Sequence, residues 1–402
     1  MTAEDSPVKM PPAAPAWPDR PSPEFRAIIK DKPVVRAELP DGSLAWLVTG
    51  YEEVRQSVID PRFSRALAVA PGRPLQGTEV FAAGSINGID PPEHSRLRKL
   101  VASAFTLRRV EAMRPRVAVI VSELIDALQG KPQPADLVEG FSLALPVQVI
   151  CEMLGVPAHD VERFHAWSDT IMGDWARDAE QIMPALLDIF SYFADLIASK
   201  RTAPADDLTS ALIAARDQDD KLSEEELTTL GCTLLIAGHE TTANQINLSL
   251  LVLLDHRDQL ELLRANPELI PGAVEELMRY VRIGGGLPPA RVASEDVELG
   301  GVWIKAGDAV LPLYGAANRD ATMFTDPDRF SVERAPASHM GFGAGAHHCL
   351  GAQLARMELQ EALRGLLAGL PGLRLAVPAE ELAFKPGMAV HSLYQLPVCW
   401  DD

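Results

Sequence analysis

The hydrophobic positions of this chain change their period twice, and the changes divide it. Residues 44–49, Leu-Ala-Trp-Leu-Val-Thr, read as a strand. Tyr51 to Asp60 has helical spacing and is ended by Pro61. Residues 66–89 are rich in Gly, Pro and Ala and predict a long loop, which in a folded domain is more often functional than not. From about 92 to 280 the apolar positions recur with the helical period.

One helix in that stretch stands apart. Ser223-Glu224-Glu225-Glu226 has the form of a capping box, and the apolar run behind it reaches Leu254. About 32 residues of helix would span roughly 48 Å. Glu240 is its only formal charge from 227 to 254, yet Thr, Asn and Gln are too frequent for a bilayer span. The expectation is a helix through the middle of the protein. After about 283 the period shortens. Residues 290–313 alternate, with turn signals at Leu299-Gly300-Gly301 and Ala306-Gly307-Asp308, and predict a small antiparallel sheet. Leu363, Leu366, Leu367 and Leu370 share one face of a helix expected from Leu350 to Leu370, and residues 371–399 return to short strands. The fold class is mainly α with small antiparallel β-sheets.

Composition narrows the function. The 402 residues are 47% hydrophobic and 23% charged, a globular balance. A formal net charge of −19 argues against non-specific nucleic-acid binding. Seven prolines fall in the first 23 residues, with no basic segment leading into an apolar run. Residues 1–22 therefore read as an extended or disordered lead-in, not a signal peptide or membrane anchor, to one domain spanning 23–402. Four scattered cysteines, 151, 232, 349 and 399, form no C-x-x-C pair and read as reduced thiols of a cytoplasmic protein. The charge is uneven: Arg96, Arg98, Lys99, Arg108, Arg109, Arg114 and Arg116 lie close together with one acid, Glu111. Such a patch suggests an acidic partner or buried anions, or else a solvated helix face.

The candidate chemistry centres on Cys349. It lies in Phe342-Gly-Ala-Gly-Ala-His-His-Cys-Leu-Gly351, a glycine-rich loop running into a helix. A thiolate is a soft, strongly donating metal ligand, and a helix N-terminus favours its charged form. Ala237-Gly238-His239-Glu240-Thr241-Thr242 lies midway along the long helix. Gly238 leaves room for something to approach, Thr241 can hydrogen-bond a backbone carbonyl, and an acid beside an alcohol can pass protons through water. Taken alone, Cys349 would be a buried structural cysteine and Thr241 a back-bonded core threonine.

Phe342, Gly343, Gly345, His347, Cys349 and Gly351 match F-G-x-G-x-H-x-C-x-G, and the loop resembles the haem-binding loop of the cytochrome P-450 family in its bacterial soluble form. Ala237 to Thr242 resembles the family's oxygen-activation motif, Glu276 and Arg279 its E-x-x-R pair, and Pro327-Asp328-Arg329-Phe330 the later segment that supplies a second arginine. The resemblance covers nearly the whole chain apart from the first ~20 residues. It implies a single large prism-like domain around haem b, with Cys349 as axial ligand. His94, Arg98, Arg291 and His347 would hold the haem propionates, Glu240 and Thr241 would deliver protons, and Glu276, Arg279 and Arg329 would form a supporting network. Phe342, Gly343, Gly351, Ala237 and Gly238 would lie against the cofactor. The implied function is a monooxygenase that inserts one oxygen atom from O2 into a bulky lipophilic substrate, by hydroxylation or epoxidation of a macrolide or other polyketide. A terpenoid, fatty-acid or carrier-bound substrate stays open, as does a haem sensor or carrier. Electrons would come from NAD(P)H through ferredoxin reductase and ferredoxin. Ferredoxin would dock near Lys99, Arg108, Arg109, Arg114, Arg116, Arg356 and Arg364, and the enzyme would act as a monomer without nucleic acid or membrane. Residues 66–89, 170–185 around Met172 and Trp175, 234–242, 283–290 and 386–394 are the expected pocket walls.

Overall fold

The computed structural model describes residues 7–9, 32–71, 84–171, 175–219, 222–285 and 287–401. Most of the lead-in expected at 1–22, residues 72–83 of the long loop, and Met172 lie outside the described residues, as does the side chain of Trp175.

The helical period is realised in α1 (Tyr51–Ile59), α2 (Glu93–Ala102), α3 (Leu107–Gln129), α4 (Ala144–Leu154), α5 (Val161–Ile171), α6 (Trp175–Thr202), α7 (Leu208–Asp219), α8 (Glu224–Asp255), α9 (Arg257–Ala265), α10 (Ile270–Tyr280), α11 (Tyr314–Ala317) and α12 (Ala352–Gly369). The strands are β1 (Val8–Lys9), β2 (Val34–Glu38), β3 (Leu44–Val48), β4 (Phe63–Ser64), β5 (Ala135–Asp136), β6 (Arg291–Ala293), β7 (Val297–Leu299), β8 (Val302–Ile304), β9 (Ala309–Pro312), β10 (Arg374–Leu375) and β11 (Pro397–Cys399). Helices dominate and the sheets are small, as expected. The sheets are not purely antiparallel, however. The largest runs β1-β2-β3-β9-β6-β4, and its β1–β2 and β3–β9 pairs are parallel. The β3–β9 pairing joins residues some 260 apart, and a contact of that range has no local signature.

The central helix forms as its sequence requires. The Ser223 hydroxyl accepts the N–H of Glu226 at 3.0 Å, and the Glu226 carboxylate accepts the N–H of Ser223 at 2.8 Å. Two otherwise unpaired donors at the start of a 32-residue helix are thereby satisfied. Nearly every side chain of α8 from Leu227 to Leu254 is buried, which explains why its apolar positions show no preferred face. It packs against α4, α6 and α12, while α12 packs along α3, where Gly369 admits Ile125 so closely that a Cβ would lie 2.8 Å from its methyl. One helical stretch, Glu180–Thr202 of α6, is long and apolar enough to cross a membrane, and its Ile182, Ile189 and Phe193 are instead packed in the protein core.

Ser223→Ala removes one half of the capping box and is expected to lower stability by about 1 kcal/mol, read as a shift of the denaturant midpoint. Thr106→Ala, at the start of α3, is the control, because Thr106 makes no side-chain cap to that helix.

Candidate active site at the cysteine loop

The loop preceding α12 is shaped by backbone bonds. Cys349 donates its N–H to the carbonyl of Phe342 at 2.8 Å, Gly343 to Met340 at 2.9 Å, and His348 to Gly345 at 3.1 Å. Gly343 and Gly345 both have left-handed backbone, φ 67° and 71°. Gly345 also lies against α1, where a Cβ would come within 2.6 Å of the Val58 carbonyl. A side chain there would be excluded by strain and by space. Cys349 therefore stands three residues before the first residue of α12.

The thiol itself departs from the expectation. Burial among surrounding atoms pushes its pKa up, and the Gly351 amide, Arg98 and Arg356 pull it only partly back. Helix terminus and cations alone do not make it a thiolate; a bound metal cation is needed to complete that. Yet Cys349 is exposed. Exposure combined with dominant desolvation marks a group lining an internal cleft. Ala237 is likewise exposed in the middle of buried α8, and Thr241 beside it is half-buried.

A cationic cluster stands beside the loop. His94 of α2 is 2% exposed, and its ring lies 4.3 Å from that of His347. Burial holds the His347 pKa down to about 3, and burial lowers that of His94, so both rings are neutral at pH 7. His94 Nδ1 and His347 Nε2 are buried with no hydrogen-bond partner. Arg98 lies within electrostatic reach of Cys349, and buried Arg291 donates to the Phe63 carbonyl at 3.0 Å. Arg65, not anticipated from sequence, joins the cluster and donates to the carbonyls of Asn87 and Ala290. Among the described residues, Asp90 is the only carboxylate acting on His94 and His347. It accepts from the Ser64 hydroxyl and, at 2.9 Å, from the Arg65 N–H. Among the described residues, three guanidinium groups against one carboxylate leave a cleft wall short of negative charge.

On α8 the motif divides between two faces. The Thr241 hydroxyl donates to the Ala237 carbonyl at 2.8 Å on the open side. Glu240 is 1% exposed and accepts from Asn244 at 2.8 Å on the closed side, next to His239. The Cβ side of Gly238 is taken up by packing between helices. A Cβ there would meet Ile150 of α4 at 3.0 Å, so the glycine serves helix packing.

The supporting network is present with one changed member. Glu276 and Arg279 are 1–2% exposed and bidentate, at 2.7 and 2.9 Å. The second arginine is Arg334, whose Nε donates to Glu276 at 2.9 Å, and not Arg329. Arg329 offers only its carbonyl, which both Arg279 and Arg334 reach. The five-residue offset arises because residues 325–329 form a tight turn that Arg334 closes, donating also to Thr325 at 2.6 Å and Asp326 at 3.0 Å.

Arg356 is also reassigned. It makes two bonds to Glu275, at 2.7 and 2.9 Å, and its guanidinium stands 4.4 Å from the Phe342 ring centroid. Glu275 also meets His339 at 3.0 Å. The three side chains brace the cysteine loop against α10. In the same way Arg114 is tied to Glu111 and Glu361, and Arg116 to Glu152. Arg364 is loosely paired with Glu361 at 3.8 Å. Lys99, Arg108 and Arg109 are exposed and make no ion pair among the described residues.

Comparisons with known proteins agree with this geometry. Residues 147–369 match the model of the family described as Cytochrome P450. The chain is 48% identical to nocardicin C N-oxygenase of Nocardia uniformis subsp. tsuyamanensis over 94% of this chain and 95% of the relative. It is 48% identical to the mycinamicin IV hydroxylase/epoxidase of Micromonospora griseorubida, over 92% and 93% respectively. Its fold matches the LnmA cytochrome P450 hydroxylase from the leinamycin pathway of Streptomyces atroolivaceus S-140 with a TM-score of 0.91, at 44% identity, over 98% of this chain and 100% of that one. The chain belongs to the cytochrome P450 family and is an oxidoreductase of the monooxygenase class, whose cofactor is haem b. The residues fit that cofactor. Two orphaned imidazole nitrogens and surplus guanidinium charge suit two propionates, and the exposed Cys349 sulfur suits iron.

Arg334→Met leaves the buried Glu276 short of a partner and is expected to cost about 3–5 kcal/mol, seen as loss of soluble haem-loaded protein. Arg329→Met should leave yield unchanged; the reverse ranking would restore Arg329 to the network. Glu275 gives a pH test. His339 and Arg356 overcome burial and lower its pKa from 4.5 to about 2. Its ionised form therefore stabilises fully above about 4.5, and the contribution is lost as pH falls towards 2. Glu275→Gln should be less stable than wild type at neutral pH, with the gap in melting temperature narrowing through that window.

Proposed function

We propose that this monooxygenase acts on a bulky lipophilic natural product of the macrolide or related polyketide kind, by hydroxylation or epoxidation. The observation that carries the reading is the wall made where residues 283–285 meet 388–391. Gly284 pairs with Val390, and Gly285 donates to the Ala389 carbonyl at 3.1 Å. Gly284 and Gly285 carry no side chain, and the space beside Gly284 is open, which leaves width for a large ring. The names of the relatives support the same class: mycinamicin IV for one, filipin I for another in a solved complex.

In this reading His94, Arg98, Arg291 and His347 hold the haem propionates and Cys349 ligates the iron, with Phe342, Gly343 and Gly351 shaping the loop beneath. Bound haem supplies the activation of O2. Thr241 keeps a hydroxyl at the open face of α8, its proton given to the Ala237 carbonyl and its lone pairs turned to the cleft. Glu240 holds the acid on the buried side, steadied by Asn244. Supply of electrons by ferredoxin is supported by the exposed Lys99, Arg108 and Arg109, which make no ion pair among the described residues. Arg114, Arg116 and Arg356, paired internally, contribute less to docking than the sequence alone suggests. We place the enzyme in the cytoplasm.

The test is an absorption spectrum of the purified protein reduced with dithionite, with and without carbon monoxide, followed by titration with a natural-product library. A strongly red-shifted Soret band that Cys349→His abolishes is expected, with macrolides giving the largest ligand-induced shifts. An unshifted band in freshly folded wild type would remove Cys349 from its role. Shifts confined to terpenoids or fatty acids would overturn the substrate class.

A further inference from the structure

One cation near the proposed pocket has no use in the site described above. Arg282 lies two residues beyond α10, and its stem packs on α11, where a Cβ on Gly315 would lie 3.2 Å from its Cγ. Its guanidinium has five N–H donors. The one partner it meets among the described residues is Nε2 of His391, at 3.4 Å. No carboxylate or carbonyl among them accepts from it. The charged group acting on it is another cation, Arg319, already engaged by Asp328 and the Tyr280 carbonyl. Burial and Arg282 hold the His391 pKa down to about 4, so that ring is neutral at pH 7 and supplies no counter-charge. A guanidinium does not deprotonate to escape burial. Among the described residues this half-buried charge faces a neutral ring and a like charge with no anionic partner, so a bound anion would gain a charge-assisted bond there.

The pair belongs to the proposed pocket wall and not to the cofactor's cationic cluster. The groups acting on Arg282 do not include Arg65, Asp90 or Tyr314, which act on Arg291. The His391 N–H donates to the Ile283 carbonyl at 2.8 Å, which continues the pairing of Gly284 with Val390. A Cβ on Gly285 would lie 2.6 Å from the Met388 carbonyl, so the two segments are drawn tightly together. Arg282 and His391 thus stand at one end of the wall, and Arg282 is only half-buried.

We infer that Arg282 and His391 form an anion-recognition subsite that takes a carboxylate carried by the substrate. A carboxylate accepts two parallel N–H bonds from a guanidinium, the geometry best matched to Arg. His391 is a positioning residue that accepts one N–H and fixes the guanidinium plane. This inference rests on the reading that residues 283–285 and 388–391 line the pocket.

The test uses the haem-loaded enzyme and matched probes: hexanoate, octanoate, dodecanoate and 3-phenylpropionate, each against its primary amide. Affinity is read from the ligand-induced Soret shift at neutral pH. Wild type should bind acids about ten-fold more tightly than their amides, as a charge-assisted pair allows. Arg282→Met should abolish the preference, Arg282→Lys should keep part of it, and His391→Ala should weaken it without reversing it. Arg282→Gln is the second neutral variant should Arg282→Met fail to fold, and an intact reduced–CO band shows that each variant is assembled. Equal affinity for acid and amide in wild type, or no shift with any probe, overturns the inference. So does a preference that survives loss of the guanidinium. If acids bind preferentially while no macrolide binds, the subsite stands and the macrolide reading falls.

Discussion

The fold around the active site depends on one buried carboxylate. Glu276 accepts from Arg279, from Arg334 and, at 3.2 Å, from the N–H of Ser331. A charge so buried is tolerable only when its lone pairs are filled, and here the donors come from its own helix and from the segment 331–334. Arg279 in turn binds the carbonyls of Asn318 and Pro327, both at 2.8 Å. The result ties α10 to the irregular stretch between α11 and the cysteine loop, a stretch with little secondary structure of its own. Next to Glu276, Glu275 reaches the other way and braces the loop through His339 and Arg356. Two adjacent glutamates thus divide the work. One fixes the scaffold and the other fixes the loop that carries Cys349.

The second organising constraint is charge. The protein as a whole is strongly acidic, yet the wall formed by His94, Arg98, Arg291, His347 and Arg65 is cationic, with Asp90 as its one acidic neighbour among the described residues. Neutral His94 and His347 add donors rather than charge. That distinction matters, because propionates can then be bound by guanidinium charge and imidazole hydrogen bonds together, without five like charges repelling one another in a cleft of low dielectric.

The parts legible in the sequence were those with local signatures. The capping box at Ser223, the length of α8, and the Phe342–Gly351 motif depend on residues close together in the chain, and their geometry follows from spacing alone. What could not be read were contacts across the fold. Arg334 replaces Arg329 because the turn at 325–329 decides which arginine faces inward, and no spacing rule encodes that turn. Gly238 reads as an opening for a ligand, and on its Cβ side the room is used by Ile150, since a missing side chain does not say which neighbours use the space around it. Arg356 looked like a surface cation, and only the fold brings Glu275 and Phe342 to it. Basic residues near the loop could be counted in advance, whereas their partners could not.

The placement of Glu240 and Thr241 carries a mechanistic consequence. Successive residues on a helix lie about 100° apart, so an acid and an alcohol next to each other in sequence need not share a face. Here they do not: Thr241 is half-buried on the open side, and Glu240 is fully buried against Asn244. Direct transfer between them is therefore not what the geometry offers. The Thr241 hydroxyl spends its proton on the Ala237 carbonyl and is left as an acceptor towards the cleft, a role that orders a donor there without supplying charge. The carboxylate, kept out of the cleft, does not compete with an anionic ligand for the cations opposite. A helix buried all round, opened at one residue pair, can separate these two tasks, which an exposed amphipathic helix could not.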